Sequence, residues 1–216
     1  MRADARVQPK VYNPRLLKNY RESTINLAGT VSSILSPWVV GPVTIWLTAW
    51  AGTHDAIAAT RWASLVIGVC VLPLFLFILV QVQSGKMTDI HVGIRQQRYL
   101  LFVIAILLMT ATTAILFVTA SPAPLLPLLL SMLLSMGINA FINLRSKISL
   151  HASAFSGTAV VFASLFGAIT LTVMLPLLLL VIWSRVRLGQ HTRAEAIAGA
   201  LVSGVVTATV FAILLE

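Results

Sequence analysis

Seven stretches of this 216-residue chain are nearly free of charge and close to the length that crosses a bilayer core of about 30 Å as a helix. They lie near residues 30–50, 62–82, 99–119, 125–142, 152–167, 170–183 and 195–215. Inside hydrocarbon a backbone must satisfy its own amides, and unbroken apolar runs lacking a two-residue alternation do so as helices. Composition supports this: 58% of residues are hydrophobic, 10% are charged, and the mean hydropathy is +0.96. A soluble domain carries roughly a quarter charged residues. The expected fold is therefore an all-α integral membrane protein, a helical bundle of about six to seven transmembrane spans. A single helical domain over 25–216 follows a basic tail over 1–24.

Prolines and glycines punctuate the runs. As one helix, the stretch from Ala152 to Trp183 would be about 48 Å long, too long for one span and short for two. Gly167, followed by Thr170 and Thr172, predicts a tight hairpin of two short helices there. Pro37 and Pro42 are expected to kink or break the first span, and Pro122, Pro124 and Pro127 to mark the turn into the fourth. No internal repeat is evident. The basic, polar start of the chain lacks a short apolar core with a small-residue cleavage site, so no removable signal peptide is expected.

The formal net charge is +9, yet the cations sit in islands between apolar runs, so the positive-inside rule accounts for them without a nucleic-acid partner. With seven spans, the N-terminal tail and the connections 83–98, 143–151 and 184–193 share one side and hold fourteen of the 15 Lys and Arg residues. Only Arg61 lies opposite. This asymmetry predicts a cytoplasmic N-terminus and cytoplasmic connections, resting chiefly on Arg2, Arg6, Lys10, Arg15, Lys18 and Arg21 of the tail. Trp46, Trp50 and Trp62 cluster about the opposite connection as an interfacial aromatic belt would. The single cysteine, Cys70, builds neither a disulfide nor a cysteine metal site.

Ionisable residues at membrane boundaries are costly, about 2.5–3.5 kcal/mol for a charge at mid-bilayer. Two connections concentrate them. One runs Arg145-Ser146-Lys147-Ile148-Ser149-Leu150-His151 into a helix rich in small residues; the other runs from Ser184-Arg185 through His191 to Glu195 and the last span. If the last helix begins near His191, that residue and Glu195 share a face and can hydrogen-bond. A carboxylate on one imidazole nitrogen fixes the tautomer and makes the other a better nucleophile or base. His151 offers a second imidazole, and Lys147, Arg145 and Arg185 supply cations that can stabilise a transferring phosphoryl group. Such a set fits an anionic headgroup. Ala196, Ala200 and Gly204 recur every four residues along the last span, a helix-packing face.

The segment Ser184-Arg185-x5-His191-x3-Glu195 resembles the third signature of the type 2 phosphatidic acid phosphatase superfamily, S-R-x5-H-x3-D, with Leu188-Gly189 and Ala198-Gly199 as similar surroundings. Ile148-Ser149-Leu150-His151 keeps Ser149 and His151 of the second signature, P-S-G-H, and lacks its proline and glycine. The first signature, K-x6-R-P, has two candidate substitutes: Lys86, Arg95 and Arg98 in the segment that also holds Asp89 and His91, or Arg145 with Lys147. The resemblance covers positions 145–195. It implies a divergent membrane-bound phosphatase of lipid phosphates or diphosphates, of phosphatidate or isoprenoid type, acting without metal or cofactor through a phosphohistidine. His191 would be the nucleophile, Glu195 its orienting carboxylate and His151 the proton donor to the leaving group. Arg185, Ser149 and the cations Lys147, Arg145, Lys86, Arg95 and Arg98 would hold phosphate. Glu for Asp and Leu150 for Gly are the departures from the pattern.

The expected partners are membrane lipids and a phosphorylated lipid substrate, with a homo-oligomer or membrane complex compatible. A second reading of another class is a non-catalytic membrane subunit or lipid-headgroup scaffold that retains the phosphatase fold. A third, a small proton-relaying transporter, lacks ionisable residues at several depths.

Overall fold

The structure, a computed structural model, describes residues 14–215, with side chains from Ser23 onward. Those residues fold into helices with no strand among them. Proline chemistry sets the first break. Helix α1 (Pro14–Ile34) stops at Leu35 and Ser36, and α2 (Pro37–Thr53) starts on Pro37, where a missing N–H costs no helical bond. Pro42 lies inside α2 without breaking it. Helix α1 also begins within the stretch expected to be tail. At the other end of α2, His54 takes a left-handed conformation (φ 52°) and its N–H reaches Trp50 O at 2.8 Å. Asp55 then caps α3 (Ala56–Val66), its Oδ1 accepting the Ala58 N–H at 2.6 Å.

A π-turn over Ile67–Val71 carries α3 into α4 (Leu72–Gln83). Pro73 sits just after this turn and lacks the N–H that a regular helix would need, a common setting for such a widening. After the connection 84–97 come α5 (Arg98–Val118) and α6 (Leu125–Asn143), then α7 (Leu150–Phe166). The hairpin expected about Gly167 is present: Gly167 adopts φ 90°, a 3-10 turn spans Ala168–Thr170, and α8 (Leu171–Arg187) and α9 (Arg193–Leu214) complete the chain.

Six stretches are long and apolar enough to cross a membrane: Ser23–Thr53, Ala56–Gln83, Arg98–Val118, Leu125–Asn143, Ala168–Arg187 and Arg193–Leu214. Helix α7 is apolar but shorter, at 17 residues. Large hydrophobic side chains, among them Val80, Val103, Leu107, Phe141, Leu179 and Val205, are exposed around the outside. Soluble monomers rarely expose large apolar patches of this kind.

Helix α7 sits at the centre, packed on α2, α6 and α8 and most extensively on α9. Small residues allow this closeness: Ala196 and Ala200 are buried, and a Cβ added at Gly199 would fall 2.5 Å from the Ser149 carbonyl oxygen. One buried cluster, including Ile45, Ala59, Leu125 and Phe211, fills the half of the bundle near Gly52 and Pro124. Another, including Leu74, Ile78, Val92 and Leu101, fills the opposite half. There the connections 84–97, 144–149 and 188–192 meet: Arg95 Nη1 donates to Leu144 O at 2.9 Å, and Lys147 Nζ to Gln190 O at 2.5 Å.

Candidate functional site

The site is built at the starts of α7 and α9 and the last turn of α8. Helix α9 begins at Arg193, so His191 precedes the helix instead of sharing its face with Glu195. A capping box does the positioning. Thr192 Oγ1 accepts the Glu195 N–H at 3.2 Å, and Glu195 Oε2 accepts the Thr192 N–H at 3.0 Å. That folds the carboxylate back so that Oε2 lies 3.3 Å from His191 Nδ1. The Thr-x-x-Glu pattern that encodes this box is visible in the sequence.

Arg185, in the final turn of α8, is 2% exposed. Its Nη1 donates to Ser32 Oγ of α1 at 2.7 Å, while its Nε is buried with no hydrogen-bond partner. No carboxylate pairs with it among the described residues, since the ion pair recorded there is His191 with Glu195. Its backbone carbonyl accepts the N–H groups of Gln190 at 3.1 Å and His191 at 3.3 Å, which folds the His191 connection over the arginine. A buried guanidinium with an unpartnered N–H can donate to an anion's oxygen. Ser32 carries no sequence signal for this role; it is one of several serines in an apolar helix.

Ser149 is the N-cap of α7, its Oγ accepting the Ala152 N–H at 3.4 Å, and its own N–H reaches Glu195 O at 3.4 Å. It is fully buried. His151 follows in the first turn and is also buried. The His91 ring stands edge-on to it with centroids 5.0 Å apart, and His151 Nε2 and His91 Nδ1 are both buried and unpartnered. Asp89 shapes this turn: Oδ1 accepts the His91 N–H at 2.7 Å and Oδ2 the Gly93 N–H at 3.1 Å. Burial pulls the Asp89 carboxyl upward, but these bonds, with the Thr88 hydroxyl, leave it below its ordinary value. Burial, then Arg185, pushes His91 down, with Asp89 opposing.

The cations divide. Lys147 faces the cluster, its ammonium lowered first by burial and then by Arg98, with Glu195 opposing. Arg98, expected in a loop, is the buried first residue of α5: its Nε donates to Val92 O at 2.8 Å and its Nη1 to Ile148 O at 2.7 Å, clamping one connection to the next. Arg95 likewise serves backbone carbonyls. Lys86 and Arg145 are exposed and take no part in the hydrogen bonds that build the cluster. Burial, followed by the charges of Arg98, Lys147 and Arg185, pushes His191 down to about 3. His191 is therefore neutral near neutral pH, with the Nδ1 proton directed at Glu195 and Nε2 carrying a lone pair.

His91 and His151 also line the upper end of a cavity of about 190 Å³ that continues between α2, α4, α6, α7 and α9 to Ile45, Leu128 and Val161. The upper cavity holds a chain of hydrogen bonds, Asn139 Nδ2 to Ser153 Oγ at 2.7 Å and Ser153 Oγ to Ser203 Oγ at 2.5 Å. Among the described residues, no three His, Cys, Asp or Glu side chains are grouped to hold a metal ion. Spacing alone brought out His151, His191, Glu195, Arg185 and Lys147. It did not single out the Asn139 chain, whose members are far apart in sequence. No known protein family, characterised protein or solved structure matches the chain.

Proposed function

We propose that this protein is a multi-pass membrane phosphatase of lipid phosphates, with its site at the cytoplasmic headgroup level and a phosphohistidine intermediate. The observation that carries the reading is the pairing of a neutral, carboxylate-oriented His191 with a buried Arg185 whose Nε has no partner. His191 Nε2 attacks phosphorus, forming the N–P bond as the bond from phosphorus to the lipid oxygen breaks. Burial and the Arg185 charge keep the His151 imidazole neutral, and the negative charge of a bound phosphate opposes both, so that His151 takes up the proton that turns the departing alkoxide into an alcohol. Water then gives a proton back to His151 and attacks the phosphohistidine, breaking the N–P bond, releasing inorganic phosphate and restoring both imidazoles. Arg185 and Lys147 counter the charge that grows on the phosphoryl oxygens.

Motif order and the match of Ser184, Arg185 and His191 to the third signature of the type 2 phosphatidic acid phosphatases add support. Of the cations considered for the family's first signature, Arg98 and Lys147 are those whose charge acts on His191, and Ser149 caps α7. Phosphate release from phosphatidate and isoprenyl phosphate in detergent tests the reading. Wild-type protein releases phosphate and His191→Ala does not; undiminished release by His191→Ala overturns the mechanism. Saturable binding of lipid phosphates with no release from any of them points instead to a headgroup-binding scaffold.

A further inference from the structure

The two histidines assigned to chemistry are held in different ways. A hydrogen bond to Glu195 orients the His191 ring, whereas neither ring nitrogen of His151 bonds to any described residue. A proton donor needs a fixed ring as much as a nucleophile does. Against the His151 ring stands His91, edge-on, with centroids 5.0 Å apart and ring planes at 70°. Edge contacts of this kind have a preferred geometry, so each ring limits the tilt of the other.

The turn that carries His91 is strained and held. Val92, the next residue, sits at φ 48°, in the left-handed region that a β-branched side chain rarely occupies. Such a conformation persists only where its surroundings fix it, and such residues gather at functional sites. Here the Val92 N–H donates to Asp89 O at 3.0 Å, its carbonyl accepts Arg98 Nε at 2.8 Å, and its side chain is buried. The Asp89 carboxylate holds the N–H groups on either side, those of His91 and Gly93. Gly93 also lies close to the next connection, where an added Cβ would meet Gln190 Oε1 at 3.3 Å. Arg98 reaches onward to the second histidine, its Nη1 donating to Ile148 O three residues before His151. One guanidinium therefore ties together the two segments that bear the stacked rings.

We infer that His91 is a positioning residue for the proton donor. Its ring sets the plane of the His151 imidazole, both for proton transfer to the leaving oxygen and for proton return from water. This goes beyond the phosphatase reading and rests on it.

Two probes that need the proton to different degrees test the role. Decyl phosphate loses an alkoxide that must be protonated, and 4-nitrophenyl phosphate loses a phenolate that is stable without a proton. In detergent, His91→Ala is expected to lower kcat/KM for decyl phosphate about 10²-fold, the effect of a catalytic group misplaced by about 1 Å, and to leave that for 4-nitrophenyl phosphate within about twofold. With the second probe the phosphohistidine accumulates, because its hydrolysis also passes through His151, and a burst of nitrophenolate equal to the protein present reports it. His91→Phe keeps a ring against His151 without either nitrogen, and it restores most of the decyl phosphate rate. Equal losses on both probes, unchanged kinetics in His91→Ala, or a His91→Phe protein no better than His91→Ala each overturn the inference. Wild-type protein that releases phosphate from neither probe overturns the phosphatase reading, and the inference with it.

Discussion

Glu195 does two things through one oxygen, closing the capping box and facing His191 Nδ1 at 3.3 Å. The side chain needs its full length to turn back over the first turn of α9 while its N–H stays on Thr192. Glu195→Asp, although it restores the residue of the resembling family, is therefore expected to lower phosphate release by about 10²-fold, the effect of misplacing a catalytic group by about 1 Å. Loss of the reciprocal cap adds about 1 kcal/mol of destabilisation, read from thermal unfolding. Unchanged or improved turnover in Glu195→Asp would show that the cap geometry is irrelevant to chemistry. The neutral state of His191 has a pH signature as well. Its folded value of about 3 lies below the ordinary 6.5, so below 6.5 the unfolded chain takes up a proton that the folded one refuses. Stability falls as pH drops from about 6.5 toward about 3, and His191→Asn removes that part of the slope in thermal unfolding across the same range. A wild-type slope unaltered in His191→Asn would exclude the buried neutral imidazole.

At the scale of elements, α7 and α9 must touch for the site to exist, because Ser149 and His151 begin one and Glu195 begins the other. Gly199 is the contact: a Cβ there would meet Ser149 O at 2.5 Å, a backbone atom that cannot rotate away. Gly199→Ala is expected to push the helices apart at about 1–3 kcal/mol, with phosphate release falling further than His191-independent lipid binding. Full activity in Gly199→Ala would mean that the pair tolerates separation. The helices themselves were legible from the sequence because lipid-length apolar runs admit few alternatives, and Gly167 and Pro37 marked real breaks. Pro42 did not break the helix, which had already been interrupted at Leu35 and Ser36 and runs on through it. The last span expected at 195–215 lies within two residues of α9, and the capping box, not a shared helical face, brings Glu195 to His191. Within the site, residues four or six apart in sequence could be paired on paper. Ser32 with Arg185, His91 with His151 and Asn139 with Ser153 could not, because long-range packing alone joins them.

For the whole molecule, one end of the bundle gathers the connections 84–97, 144–149 and 188–192, and the other holds His54, Asp55 and the Pro122–Pro124 turn. Arg61 is the one cation of the full chain placed by sequence near this second end. Translocating the cation-rich end would drag many charges across the membrane, so it is expected to face the cytoplasm, and with it the proposed phosphate site. The protein offers a clean probe, because its only cysteine, Cys70, is buried among helices. Gln83 and Ala56 are exposed at opposite ends of the α3–α4 span, and the helix cap at Asp55 leaves the Ala56 side chain uninvolved. In intact cells an impermeant maleimide is expected to label Ala56→Cys at once and Gln83→Cys only after permeabilisation. The reverse pattern would turn the protein over, moving the phosphate site to the external face while leaving the geometry of His191, Glu195 and Arg185 intact. Because those residues are held by contacts within the chain, Arg185 to Ser32 and His191 to Glu195, turnover in detergent would be the same in either orientation. Only the lipid pool reached in the cell would change.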